Sequence, residues 1–302
     1  MVVVEGAIIY SNLLVLLGIG LTITYITTGV PNFAQGSFAV LGSYISLSLL
    51  YFLGLHPYYS LPISLILGSF LGLVIYIGVL KPLIAREAKI VILMIATLAI
   101  DLIMLGSIGA YSDYLSTVTK KAAKKFIFTP YDFNLLGLPA IFIVSIIVIG
   151  LMLLSLFLLL YKTKFGIALR ASMENPALAE TMGVNIEYTR LFSWMLSGAL
   201  ASAAGSLLPF RQEIVPASGA LIIVSIFAAS IVGGLTSIYG ALIGGYIIGV
   251  SESLITFSLS SILGSGVLVY AKVVSLIMLI LTLIFIPKGV TSIKWRGLTR
   301  ST

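Results

Sequence analysis

The chain has 302 residues, 60% of them hydrophobic and 9% charged, with 29 glycines, no cysteine and a formal net charge of +7. A soluble domain averages about 45–50% apolar residues with its glycines counted, whereas this surplus, at roughly 20 apolar residues per crossing, supplies about nine membrane spans. Composition therefore excludes a substantial soluble catalytic domain, and the lack of cysteine excludes disulfides, thiolate metal sites and thiol nucleophiles.

Residues 1–6 carry no Lys or Arg. The first apolar run thus lacks the basic start of a cleavable signal and is expected to remain as a span. Apolar runs follow over 7–26, 34–53, 60–80, 90–110, 138–161, 191–209, 220–236, 238–259 and 269–287. They are continuously apolar, not alternating, which disfavours a strand barrel. The expected fold is all-α: a polytopic transmembrane helical bundle of about eight to ten spans.

The basic residues form four groups: Lys81, Arg86 and Lys89; Lys120, Lys121, Lys124 and Lys125; Lys162, Lys164, Arg170 and Arg190; and Lys288, Lys294, Arg296 and Arg300. Aromatic residues do not alternate with them as a base-stacking surface requires, so nucleic acid is not an expected partner. Short cytoplasmic loops gather Lys and Arg. Placing the first, third and fourth groups inside needs an even number of spans between them, and the runs supply two and then four. The N-terminus then lies outside and the C-terminus in the cytoplasm. The Lys120–Lys125 group falls in the longest external loop, 111–137, as a solvated face or as a dock for an acidic partner.

Two places interrupt the helices. The segment from Thr27 to Gly36 is polar and glycine-rich, and Pro31 cannot donate an amide hydrogen. Its backbone is expected to be unwound or re-entrant, which a membrane tolerates only beside protein or water. Gly233 to Gly240 is a second such break, or a tight interhelical turn. The shared pattern hints at an internal repeat, and transporters build sites from broken helices of this kind. Small residues four apart (Gly68 and Gly72, Gly240 and Gly244, Gly245 and Gly249, and Ser197, Ala201 and Gly205) mark close helix approach, within the subunit or at a dimer face.

Asp101 lies near the middle of the fourth run and Glu252 within the eighth, where a carboxylate must pair, face water or stay protonated. Asp101 reads equally as a pathway position or as an intrabundle hydrogen bond. Glu252 could join Lys272, Arg211 and Glu213 in an ion pair at the outer mouth. His56 has no carboxylate or thiol at ligand spacing, so no metal site is expected, and no cofactor. The chain also lacks the Gly-x-x-x-x-Gly-Lys-Ser/Thr phosphate loop, so it cannot itself be the engine of an ATP-driven pump.

The only long loop assigned inside runs from Lys162 to Arg190. Within it Asn175 suits an N-cap, Pro176 the first helical position and Gly183 a left-handed stop. Ala177, Leu178 and Met182 give this short helix an apolar face, which needs the bundle behind it or a partner in front.

Lys164-Phe165-Gly166-Ile167-Ala168-Leu169-Arg170-Ala171, followed by Glu174 to Asn185, resembles the cytoplasmic coupling loop of permeases of branched-chain amino-acid ABC transporters. Pro31 to Gly36 through Gly42-Ser43-Tyr44 resembles that family's asparagine-phenylalanine-alanine-histidine-glycine segment. Gly233 to Gly245 with Glu252 resembles its glycine-rich late segment, and Pro287-Lys288-Gly289-Val290 also fits. The matches favour the LivH-like over the LivM-like permease. Gln35 stands where the family usually has histidine, and Asp101 where a small polar or apolar residue is expected.

The resemblance implies one transmembrane permease domain over 1–302 with a coupling loop at 162–190, in the cell membrane, without an ATPase site of its own. It implies cytoplasmic ATP-binding subunits, a second permease subunit or a self-dimer, and an extracellular binding protein. Arg170, Glu174, Asn175, Pro176, Ala179, Glu180, Met182 and Gly183 would receive force from the ATPase. Asn32, Gln35, Ser37, Asp101, Thr236, Ser237 and Glu252 would line the path of a branched-chain or other hydrophobic amino acid. Alternatives are a permease for urea or short amides, an ion-coupled transporter using Asp101 and Glu252, or a non-transporting scaffold.

Overall fold

The structure, a computed structural model, describes residues 2–135, 137–264, 266 and 270–292. Val269, Lys294, Arg296 and Arg300 lie outside them. The helices are α1 (Val2–Thr28), α2 (Gln35–Leu53), α3 (Ser60–Ile75), α4 (Lys81–Ala85), α5 (Ile90–Thr119), α6 (Ala140–Lys162), α7 (Lys164–Glu174), α8 (Pro176–Thr181), α9 (Ile186–Leu207), α10 (Ser218–Gly233), α11 (Ile238–Leu263) and α12 (Ala271–Phe285). Among the described residues one short antiparallel strand pair joins Asn134 with Pro139 and Leu135 with Leu138. Among the described residues seven helices are long and apolar enough to cross a membrane, α3 and α4 counting as one, while α10 and α12 are apolar but shorter. Sixteen residues of α10 extend only about 24 Å, short of the roughly 30 Å hydrocarbon layer.

α1 is the hub. Leu13, Leu14, Leu16, Leu17, Ile19, Leu21 and Ile23 are all buried, because α9, α10, α11 and α6 surround it. Outward, α5 presents Val91, Leu102 and Ile103, and α6 presents Ile147, Leu151 and Leu154. Lipid is as apolar as these side chains, so the helices are held by close packing and interhelical hydrogen bonds rather than by expulsion of water. Asn12 supplies one such link, donating to Ser145 of α6 (3.1 Å) and accepting from Tyr246 of α11 (2.8 Å). The small-residue pairs pack within the subunit: Gly68 meets Gly198 and Ser202, Gly72 meets Trp194, Gly205 meets Ala39, and Gly249 meets Ser11.

Three local expectations need correction. α5 continues to Thr119 rather than ending near 110, because Ile108, Ser112 and Leu115 keep one buried face through a polar stretch; the connecting segment shrinks to 120–139. The loop at 162–190 holds a second helix, α7, capped by Thr163, whose hydroxyl accepts from the Gly166 amide (2.9 Å). α9 starts at Ile186, earlier than 191, because Asn185 accepts from the amides of Glu187 (3.0 Å) and Tyr188 (3.2 Å). Between α3 and α4 the chain forms a π-helical turn over Tyr76–Leu80. Pro82, whose ring crowds the carbonyl four residues earlier, accounts for it.

The basic groups sort by end. Lys81 pairs with Glu187, and Arg190 donates to the Thr27 carbonyl (3.3 Å), placing both with α7 and α8. Lys288 lies beside Gly234 near the second break. Lys124 and Lys125 bond Asp113 and Glu213 (2.8 Å each) at the opposite end.

Candidate functional site

The first break is re-entrant. After Thr28 the chain turns at Gly29, where φ is +70°, a conformation glycine adopts without penalty. Residues 29–34 then climb back into the bundle, so that α2 begins beside Leu17 and Ser197, near the midpoints of α1 and α9. The Gln35 amide fixes this entry. Its Nε2 donates to the Leu17 carbonyl (3.3 Å), and its Oε1 accepts from Asn32 Nδ2 (3.0 Å) and Ser197 Oγ (2.9 Å). Asn32 Oδ1 accepts from the Ala34 amide (3.1 Å). Asn32 and Gln35 are 1% and 0% exposed, so these bonds meet polar groups that would otherwise be stranded.

α5 braces the same break from outside. Thr97 Oγ1 accepts from the Phe33 amide (3.4 Å) and lies 3.4 Å from the Pro31 carbonyl, its hydrogen going to the nearer Met94 carbonyl of its own helix (2.8 Å). One turn along the same face, Asp101 accepts from the Ser37 hydroxyl (2.5 Å) and is only half-buried. Asn32, Gln35, Ser37 and Asp101 therefore form one cluster. Thr97 and Ser197 belong to it: Thr97 was missed, because a lone hydroxyl in an apolar helix carries no sequence signal, and Ser197 was legible only as a small packing residue, not as a partner of Gln35.

At the α8 end, Asn175 Oδ1 caps α8 through the Leu178 amide (3.1 Å), Pro176 occupies the first turn, and Gly183 stops the helix at φ +84°. Ala179 packs inward, whereas Leu178 and Met182 are 61% and 80% exposed. With Ile167 and Tyr188 also exposed, the apolar face of this hairpin looks away from the bundle. Glu174 and Glu180 are exposed on the same end.

The second break lies nearer this end than the first and is a tight turn. Gly234 has φ +103°, and Ser237 caps α11 through the Gly240 amide (3.2 Å). It opens on a cavity of about 500 Å³ between α1, α6, α7 and α11, which Thr236 and Ser237 share with Arg170 and Glu174. Residues assigned to path and to coupling are thus neighbours. The Arg170 guanidinium stands 4.4 Å from the Tyr161 ring centre, and the Tyr239 hydroxyl donates to that of Tyr161 (2.8 Å). Arg170 Nε is buried with no partner among the described residues. Both tyrosines escaped the sequence reading, since tyrosine near a span end reads as an interfacial anchor.

Glu252 lies elsewhere, toward the opposite end. Its Oε1 accepts from Lys272 (2.5 Å), and its Oε2 from Ser225 (2.7 Å) and Ser275 (2.5 Å); Lys272 also donates to Tyr10 (2.8 Å). The expected pairing with Lys272 is present. Glu213 instead bonds Lys125, and Arg211 bonds the Gly6 carbonyl (3.3 Å).

A family model described as "Branched-chain amino acid transport system / permease component" matches residues 3–283. The chain belongs to this permease family. It is 64% identical over 298 residues, 99% of its own length and 94% of the relative's, to the probable branched-chain amino acid transport permease protein LivH of Methanocaldococcus jannaschii. The high-affinity LivH permease of Salmonella typhimurium is 29% identical over 295 residues (91% of this chain, 90% of the relative). The autoinducer 2 import permease LsrC of Yersinia enterocolitica is 28% identical over 153 residues, 48% of this chain and 42% of its own. No solved structure matches. The chain is accordingly a multi-pass membrane protein and a permease subunit of an ABC importer, a transport component rather than an enzyme.

Proposed function

We propose that this permease translocates branched-chain amino acids, taking them from an extracellular binding protein and drawing energy from cytoplasmic ATP-binding subunits docked on α8. Relatives whose names carry that substrate align over nearly the whole chain. The chain has no phosphate loop of its own, so the nucleotide work falls to partners. Two basic groups and Lys288 share the α8 end, which supports reading it as the cytoplasmic side, with the N-terminus outside. A second permease subunit or a second copy completes the passage. Residues 1–302 act as one domain, with 162–190 as its coupling loop.

One observation carries the mechanism: Arg170 and Glu174 of α7 border the same cavity as Thr236 and Ser237 of the second break. Force on α8 reaches α7 across their shared cap at Asn175, and the Arg170–Tyr161–Tyr239 contacts pass it to the start of α11. The first break, rigidly bonded through Gln35, serves as the fixed side against which α11 moves, with Ser37 and Asp101 at its polar edge. Such alternating access requires two arrangements of one packed element, biased by the partner's nucleotide state. The natural chain has no cysteine, so Met182→Cys creates a unique thiol. It should crosslink to an ATP-binding subunit in membranes, whereas a Cys at Ile66, on a lipid-facing surface, should not; equal crosslinking from both positions refutes the docking assignment.

A further inference from the structure

A second cavity, of about 670 Å³, opens at the end of the bundle opposite α8. Its walls come from the start of α1, the far half of α11, the segments after α5 and α9, and the start of α12. Val3, Ile127 and Phe257 make it apolar, and Arg211, Glu213 and Thr256 bring polar groups to it. An apolar cleft of this size with a few convergent polar groups has the make-up of a small-molecule site. Neither helix break nor the coupling cavity contributes to it.

Two of its polar groups lack the partners their chemistry requires. Thr256 is 5% exposed, and its hydroxyl finds no hydrogen-bond partner among the described residues. Buried hydroxyls are seldom left so. Arg211 offers five N–H donors. Among the described residues only its Nε bond to the Gly6 carbonyl is formed, and no carboxylate lies within ion-pair distance. Burial lowers the pKa of this guanidinium, a penalty that an arriving anion removes. Glu252 also borders the cavity, but Lys272, Ser225 and Ser275 already occupy both its oxygens. Glu213 is different: it bonds Lys125 (2.8 Å) with both side chains more than half exposed. A pair so open to solvent is weak and readily exchanged.

We infer that this cavity binds a free apolar α-amino acid, its carboxylate on Arg211 and Thr256, its ammonium on Glu213, and its side chain against Val3, Ile127 and Phe257. The inference rests on the substrate class proposed above and deepens it, by giving the permease a selective site of its own at the entrance. Arg211 and Glu213, two positions apart and both on the cavity wall, match the adjacent carboxylate and ammonium of an α-amino acid: an analogue without the carboxylate leaves the Arg211 guanidinium unpaired, and one without the ammonium gains nothing from Glu213, which stays on Lys125.

The test uses the permease assembled with its ATP-binding subunits in lipid nanodiscs, without binding protein, and radiolabelled leucine. Saturable binding is expected, weakened at least tenfold by Arg211→Gln and largely kept by Arg211→Lys. 3-Methylbutylamine, which lacks the carboxylate, and 4-methylpentanoate, which lacks the ammonium, should both fail to compete. Assembly of each variant with the ATPase subunits reports that it is folded. No saturable binding by the wild type, undiminished binding by Arg211→Gln, or full competition by either analogue overturns the inference. So does binding that vanishes in phosphatidylglycerol discs, which would assign the guanidinium to a lipid headgroup. ATP-driven leucine uptake with binding protein present is measured separately. Uptake without intrinsic binding removes this site and leaves the transport reading standing, whereas no leucine uptake at all removes the reading itself.

Discussion

Gln35 and Ser197, 162 positions apart in sequence, are joined by a 2.9 Å hydrogen bond near the midpoint of α9. That bond locates the start of α2 inside the bundle and makes the first break a re-entrant element rather than a surface loop. Gln35→Ala strands the Ser197 hydroxyl and the Asn32 amide in a buried site. A loss of about 1–3 kcal/mol is expected, seen as a lower unfolding temperature in detergent. Gln35→His, which keeps hydrogen-bonding capacity, should recover most of it.

Close backbone approach predicts a contrast between glycines. A Cβ at Gly36 would overlap the Gly219 carbonyl, whereas at Gly106 it meets nothing within 4 Å. Gly36→Val should abolish accumulation of folded protein, while Gly106→Val changes neither its yield nor its melting temperature. Size-exclusion profiles of the detergent-solubilised proteins read both.

The Glu252–Lys272 pair predicts a non-additive cycle. Removing one partner leaves the other's charge buried and costs about 3–5 kcal/mol, while replacing both by apolar groups is much less harmful. Lys272→Met alone should therefore destabilise more than Lys272→Met with Glu252→Leu. Thermal unfolding of the two singles and the double measures the coupling. The Ser225 and Ser275 hydroxyls, which also bond Glu252, limit the recovery.

The relay across the coupling cavity predicts a transport defect without an assembly defect. Tyr239→Phe removes the hydroxyl that bonds Tyr161 but leaves the ring and the helix cap at Ser237. Uptake per ATP hydrolysed should fall several-fold in proteoliposomes, with ATPase-subunit stoichiometry unchanged. Arg170→Gln should act in the same direction, because it removes the cation above Tyr161.

How far the sequence alone reaches can be followed residue by residue. Nine apolar runs correspond to nine apolar helices or helix pairs among the described residues, because a bilayer's thickness forces the pattern into the chain. The cap at Asn175 and stop at Gly183 were legible because capping is a local rule. The extension of α5 past Tyr111 was not, since Ser112 and Leu115 show their shared face only once packed. Nor did spacing reveal that Arg170 and Thr236 border one cavity: 66 positions separate them, and α6, α7 and α11 meet only through tertiary packing. Asp101 was visible as an anomaly, but its partner Ser37 lies on another helix and was placed with it only by the fold.

The central claim is that force enters through the exposed apolar face of α8. It is tested most directly by measuring leucine uptake and ATP hydrolysis together in proteoliposomes, with Leu178→Asp and Met182→Asp in the complete transporter. Both side chains face solvent, so the permease should fold normally with its melting temperature unchanged. Uptake should fall at least tenfold, through loss of the ATP-binding subunits or through hydrolysis that no longer drives transport. Unchanged uptake at an unchanged ratio to ATP hydrolysed would contradict the account.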